Sequence, residues 1–114
     1  MLAETIKNKY PKAYNALVKY TENLLQSIPG SQEAIKLIMT DSIVKGIIEN
    51  QPRTLYDFLD RYNIFISLYR NEKSWSYSIT DSTYDTKYDT VLSDRKEVED
   101  IAFTRAFSEL DKLL

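Results

Sequence analysis

Three aspartates between residues 80 and 90 come closest to the spacing of a chemical site. Asp81, Asp85 and Asp89 repeat every four residues. A calcium loop of the EF-hand kind needs alternating oxygen ligands, a glycine at its sharp turn and a closing glutamate, and that spacing is not present here. On a strand, Asp85 and Asp89 would stand about 13 Å apart, which is too far to share one ion. We therefore predict a solvated acidic edge and no metal site.

Two acidic pairs, Asp94 with Glu97 and Glu97 with Asp100, have the residue types for acid and base catalysis. The start of a helix accounts for them equally well, because the helix dipole favours negative charge in the first turn. The chain has no histidine and no cysteine, which removes the usual general base, the usual zinc ligand and any thiolate site or disulfide. No glycine follows Gly46, so a phosphate-cradling loop is not expected in the second half. We expect no enzymatic activity and no cofactor.

Length and charge set the remaining bounds. A chain of 114 residues with 43% hydrophobic side chains suits a single domain with one core. The net charge of −2 disfavours broad binding to phosphate backbones or anionic membranes. The first residues lack the apolar region of a signal peptide, and apolar runs are far shorter than the roughly 18 residues of a membrane span. We expect a cytoplasmic protein of bacterial or phage type.

Residues 1–50 show the periodicity of helices. Apolar residues recur along one face after Pro11, which suits the first turn of a helix, and again after Ser31, a plausible helix cap. The second stretch is interrupted at residues 40–42, which leaves one helix or two shorter helices open. Residues 2–9 fit either a short leading helix or a frayed end. We predict an N-terminal helical hairpin.

Helix-start signals also frame the second half. Thr54 and Asp57 have the spacing of a capping box that would open a short helix. Asn63 suits the left-handed residue that ends such a helix. Asp94 and Glu97 form a second capping box, from which a long last helix should run towards the end of the chain.

Between these helices the apolar pattern alternates with a period of two. Alternation over residues 64–69 and 74–80, on either side of a short polar turn, predicts a β-hairpin, and residues 84–92 fit a third strand. We predict an α+β fold in one domain, 1–114. The helical hairpin precedes an α-β-β-β-α unit over residues 54–114, whose three-stranded antiparallel sheet packs on helices.

The predicted first strand carries two aromatic side chains opposite its core-facing residues. Phe65 and Tyr69 alternate with apolar positions, whereas Trp75 and Tyr77 are expected in the core. Two arrangements remain open for Phe65 and Tyr69. Either the N-terminal helices bury them, or they form an exposed aromatic patch of the kind found at interfaces.

The α-β-β-β-α order over about 60 residues resembles the double-stranded-RNA-binding domain. The likeness includes the start of the last helix, residues 93–102, where that family has a small residue, a run of lysines and an alanine-rich helix. The resemblance implies that Arg95 and Lys96 contact phosphates across the intervening major groove. Glu97 and Asp100 lie in the same turn and would repel phosphate. The hairpin followed by an arginine-led helix also resembles short uncharacterised proteins of phages and bacterial mobile elements, which implies no activity.

Absent catalytic motifs and wide apolar stripes together indicate a non-enzymatic protein-interaction or accessory module. The partner would be another protein, including a second copy bound through the helical first half. A nucleic-acid-binding module on the RNA-binding-like scaffold is the alternative. The candidate surface residues are Phe65, Tyr69, Arg95 and Lys96.

Overall fold

The computed structural model of the chain describes residues 2–26, 33–72, 74–80, 86–92 and 94–114, and side chains within residues 2–24, 41–70, 72, 74–80 and 94–114. The helices are α1 (Leu2–Lys9), α2 (Pro11–Gln26), α3 (Glu33–Asn50), α4 (Pro52–Asp60) and α5 (Arg95–Leu113); the strands are β1 (Phe65–Asn71), β2 (Ser74–Thr80) and β3 (Thr86–Leu92). The predicted α+β class is confirmed. None of the helices in the described ranges is long and apolar enough to cross a bilayer.

The N-terminal half contains the three helices α1, α2 and α3, one more than the two helices of the predicted hairpin. The residues left open as a lead-in or a frayed end form α1, which buries Ala3 and Ile6 in the core. The stretch left open as one helix or two is the single helix α3. Burial of Val44 and Ile48 anchors its second half to the core. The proposed cap at Ser31 lies outside the described residues.

Carboxylates from distant parts of the chain cap the first two helices. The backbone N–H of Ala3 donates to Oε1 of Glu49 at the end of α3, at 2.8 Å. At the start of α2, the N–H groups of Lys12 and Ala13 both donate to Oδ1 of Asp111 in α5, at 2.9 and 3.0 Å. These N–H groups have no partner within their own helix, so an acceptor here stabilises the helix start.

Helix α4 begins earlier than its capping-box pattern indicated. Pro52 occupies the first turn and Gln51 the cap position, because proline fits where no backbone donor is needed. The prediction of Thr54 as the cap was therefore wrong, and its N–H donates to the Gln51 carbonyl instead. Asn63 does follow the helix with φ of 58°, as predicted.

Strands β1 and β2 form an antiparallel hairpin whose inner face packs on α5. Ile66 pairs with Ile79 and Leu68 with Tyr77, and side chains of paired residues share a face. Tyr77 and Ile79 are buried, which agrees with their predicted core positions. Strand β3 pairs with the other edge of β2, so the sheet order is β1-β2-β3.

Helix α5 is the central element of the core. The sheet contacts one side of it, while α1 and α2 contact another. An aromatic cluster joins these layers: the Phe58 ring lies 5.4 Å from Tyr20 and 5.9 Å from Phe107, measured between centroids. The start of α5 has the predicted cap, since Oδ1 of Asp94 accepts the N–H of Lys96 at 3.0 Å.

Candidate interaction surfaces

The outer face of the sheet is defined here by the β1 and β2 side chains that point away from α5. These are Phe65, Ser67, Tyr69, Ser74, Ser76, Ser78 and Thr80. Phe65 is 47% exposed and Tyr69 is 40% exposed. The N-terminal helices pack on one another and on α5. They therefore do not bury Phe65 and Tyr69, which form the exposed aromatic patch of the two arrangements left open.

The aromatic rings on the outer face are positioned by the strand and by a hydroxyl contact. Tyr69 Oη and Ser78 Oγ are 2.7 Å apart, and this contact holds the Tyr69 ring across the hairpin while Ser78 is buried beneath it. Phe65 lies four residues earlier, about 13 Å along the same strand. The pair of Ser67 and Ser78 lies between the two rings. The result is a fixed, uncharged surface with two apolar projections.

Arg95 and Lys96 do not join Phe65 and Tyr69 on this face. The Arg95 guanidinium carbon lies 5.6 Å from the ring centroid of Trp75, whose side chain belongs to the inner face. Lys96 Nζ forms an ion pair of 2.7 Å with Asp100, one turn along α5. The four predicted surface residues are therefore divided between the outer face and the start of α5.

Most described side chains of the apolar stripes in the first-half helices pack inside the molecule, but Leu24 near the end of α2 is 43% exposed. In α2, Ala13, Tyr14 and Leu17 are buried, and in α3 so are Val44 and Ile47. Dimerisation through the helical half, which these stripes suggested, stays a prediction.

Two of the three carboxylates in the predicted acid pairs, and the neighbouring Glu99, have structural partners. Asp94 caps α5 and Asp100 binds Lys96. The buried Glu99 accepts a hydrogen bond of 3.1 Å from the Tyr56 hydroxyl, and burial together with the Glu99 charge raises the pKa of Tyr56. The side chains of the spaced aspartates at 81, 85 and 89 lie outside the described residues. Within the described part of the chain, no three acidic side chains come together as a metal site would require.

An open cleft of about 450 Å³ lies between α1, α5 and the buried ring of Tyr77. Its polar lining includes Thr5, Tyr10, Thr104 and Arg105. The Thr104 hydroxyl already has a hydrogen-bond acceptor within the chain, since it donates to the Asp100 carbonyl at 2.9 Å. Sequence reasoning missed this cleft because three elements far apart in the chain form it, and its residues share no spacing.

Comparison of the chain with protein-family models, with curated proteins and with solved structures found no match. The resemblance to the double-stranded-RNA-binding domain thus remains a prediction. Inferences about function rest on the chemistry of the surfaces described above.

Proposed function

We propose that this chain is a non-enzymatic protein-interaction module that binds its partner through the outer face of the sheet. The observation that carries the proposal is the exposure of Phe65 and Tyr69 on a face that no described helix covers. Large aromatic side chains are enriched at the centres of interfaces, because they bury much apolar area with few rotatable bonds.

The charge on this face favours a protein partner over a nucleic acid. None of its seven side chains is charged, whereas binding to nucleic acid depends on cations that neutralise phosphates. Arg95 and Lys96, the cations that the RNA-binding resemblance requires, are engaged by Trp75 and Asp100.

A second copy of this chain is the partner that we propose. In a two-fold symmetric dimer, each residue of a surface faces the same surface on the other copy, so a charged face would repel itself. The uncharged outer face imposes no such penalty. Two sheet faces pack at about 10 Å, a separation that the rings of Phe65 and Tyr69 can fill.

Sedimentation velocity over a wide range of protein concentration tests this proposal. The natural chain should shift from monomer to dimer, and the double variant Phe65→Ser with Tyr69→Ser should stay monomeric. Leu113→Ser is the matched control, because it removes another large exposed apolar side chain (54% exposed) from a different part of the molecule. It should associate like the natural chain.

Two results would refute the dimer. One is a natural chain that stays monomeric at the highest concentration; the other is association that persists in the double variant. Fluorescence anisotropy with labelled double-stranded RNA at low salt gives the comparison with the alternative function. Tight, salt-sensitive RNA binding that is abolished by Arg95→Glu would favour the nucleic-acid-binding function over the protein-interaction function.

A further inference from the structure

A groove beside α2 combines a basic rim with an aromatic floor. It consists of two adjoining depressions of about 350 and 120 Å³, which share Ala16, Lys19 and Tyr62 as lining residues. Helix α2 forms one wall, and Leu114 lies at one end. The other wall is formed by the end of α4 and the turn after it, through Phe58, Arg61 and Tyr62. The small side chain of Ala16 leaves room between the walls.

Every charged side chain that lines this groove is basic. These are Lys12 and Lys19 on α2 and Arg61 at the end of α4. None of the three belongs to an ion pair among the described residues. The nearby carboxylate of Asp111 instead accepts the backbone N–H groups of Lys12 and Ala13. A concentration of unpaired positive charge in a chain of net charge −2 favours an anionic ligand.

The aromatic floor holds Arg61 in place. The Arg61 guanidinium carbon lies 4.7 Å from the ring centroid of Tyr20. Tyr20 and Tyr62 each contact the buried Phe58 ring, both at 5.4 Å between centroids. A guanidinium stacked on a ring keeps its N–H edge free, and that edge matches the two oxygens of a carboxylate.

We propose that this groove binds an acidic helical segment of another protein. Lys12 and Lys19 are two turns apart on α2, a separation of about 10 Å along the helix axis. Carboxylates seven residues apart on a partner helix have the same separation, and small apolar side chains between them would face Ala16 and Tyr62. The site is separate from the outer face of the sheet and does not depend on the proposed dimer.

Single-stranded nucleic acid fits the groove less well. Base recognition of that kind needs open aromatic faces on which bases stack. Arg61 already covers a face of Tyr20, and Phe58 is fully buried. The net negative charge of the chain also opposes a polyanion more than a peptide with two or three carboxylates.

Fluorescence anisotropy in about 0.1 M salt, which screens distant charges, with a synthetic peptide tests the site. The probe is a labelled helical peptide of about 16 residues, with glutamates seven positions apart and alanines between them. Its control carries glutamines in place of the glutamates. The acidic peptide should bind at least about tenfold more tightly than the control, and Lys19→Glu with Arg61→Glu should weaken it by at least about tenfold.

Arg70→Glu is the matched charge reversal, since Arg70 is exposed at the far end of β1 and should leave peptide affinity within about twofold once charge is screened by salt. Lys12→Glu with Lys19→Glu provides a second pair that touches exposed side chains only. Equal binding of both peptides, equal loss in Arg70→Glu, or tighter binding of a uridine oligonucleotide than of the acidic peptide would each overturn the proposal.

Discussion

The two faces of the sheet differ in what surrounds them, although they alternate along the same strands. On the inner face, Tyr77 and Ile79 are buried against α5. On the outer face, Phe65 and Tyr69 stand exposed. Aromatic residues thus occur on both faces with different consequences: those facing α5 contribute to stability, and those facing outward remain exposed to solvent.

The sharpest test of this difference compares two phenylalanines. Phe107→Ala should lower the free energy of unfolding by about 3–5 kcal/mol, because it empties a fully buried site in the aromatic cluster. Phe65→Ala should lower it by less than about 0.5 kcal/mol in the monomer, since the ring is already half exposed. Urea unfolding at a concentration where the chain is monomeric measures both. Similar losses in the two variants would contradict the contrast between the faces.

The long-range cap on α2 should have the next largest effect. Asp111→Ala leaves the N–H groups of Lys12 and Ala13 without their acceptor, and we expect a loss of about 1–2 kcal/mol. Asp111→Asn keeps an oxygen acceptor and should recover most of that loss. Thermal unfolding followed by circular dichroism measures the stability of both variants. An equal loss in both would show that the negative charge of Asp111, and not its acceptor oxygen, stabilises the helix.

Local sequence patterns were enough to predict the helices and strands, whereas tertiary packing determines which side chains are exposed. The alternation in β1 and β2, the left-handed Asn63 and the Asp94 cap depend on neighbouring residues, so sequence patterns suffice for them. Exposure of Phe65 and Tyr69 depends instead on where the N-terminal helices pack, which no local pattern encodes.

The basic groove shows the same limit. Lys12 and Lys19 are seven residues apart on the exposed side of α2, a signal that sequence reasoning could have used. Arg61 is 42 positions further along the chain than Lys19, and only folding brings it beside Tyr20. The start of α4 was mispredicted for a local reason, because Pro52 and Thr54 both carry helix-start signals and the proline lies earlier.

Asn63 connects the buried helix α4 to the strand that carries the exposed rings. Asn63→Ala should cost about 1 kcal/mol, because a Cβ is disfavoured at a φ of 58° and alanine lacks the polar side chain by which asparagine tolerates this conformation. Asn63→Gly should be close to neutral, since glycine adopts this conformation readily. Urea unfolding of both variants tests the point; a neutral alanine variant would show that the left-handed turn relaxes.

The smallest expected effect concerns exposed charges near the start of the chain. The Tyr14 hydroxyl donates to Asp41, and this bond, with Lys7 and Lys45 nearby, lowers the pKa of the Asp41 carboxyl below its ordinary value. A lowered folded-state pKa stabilises the fold above the unfolded-state pKa of about 4, and that contribution is lost as pH falls through the folded-state pKa. Asp41→Asn should therefore lose less stability than the natural chain between neutral pH and pH of about 3. Parallel thermal melts measure this, and identical acid losses would rule out a role for Asp41.

The caps on α1 and α2 also bear on the order in which the chain is made. Ribosomes synthesise proteins from the N-terminus, and 98 residues separate Ala13 from its acceptor Asp111. Ala3 and its acceptor Glu49 are likewise 46 positions apart in the sequence. Helices α1 and α2 are thus completed by residues that leave the ribosome after them, and α2 obtains its acceptor only once nearly all of α5 has been synthesised.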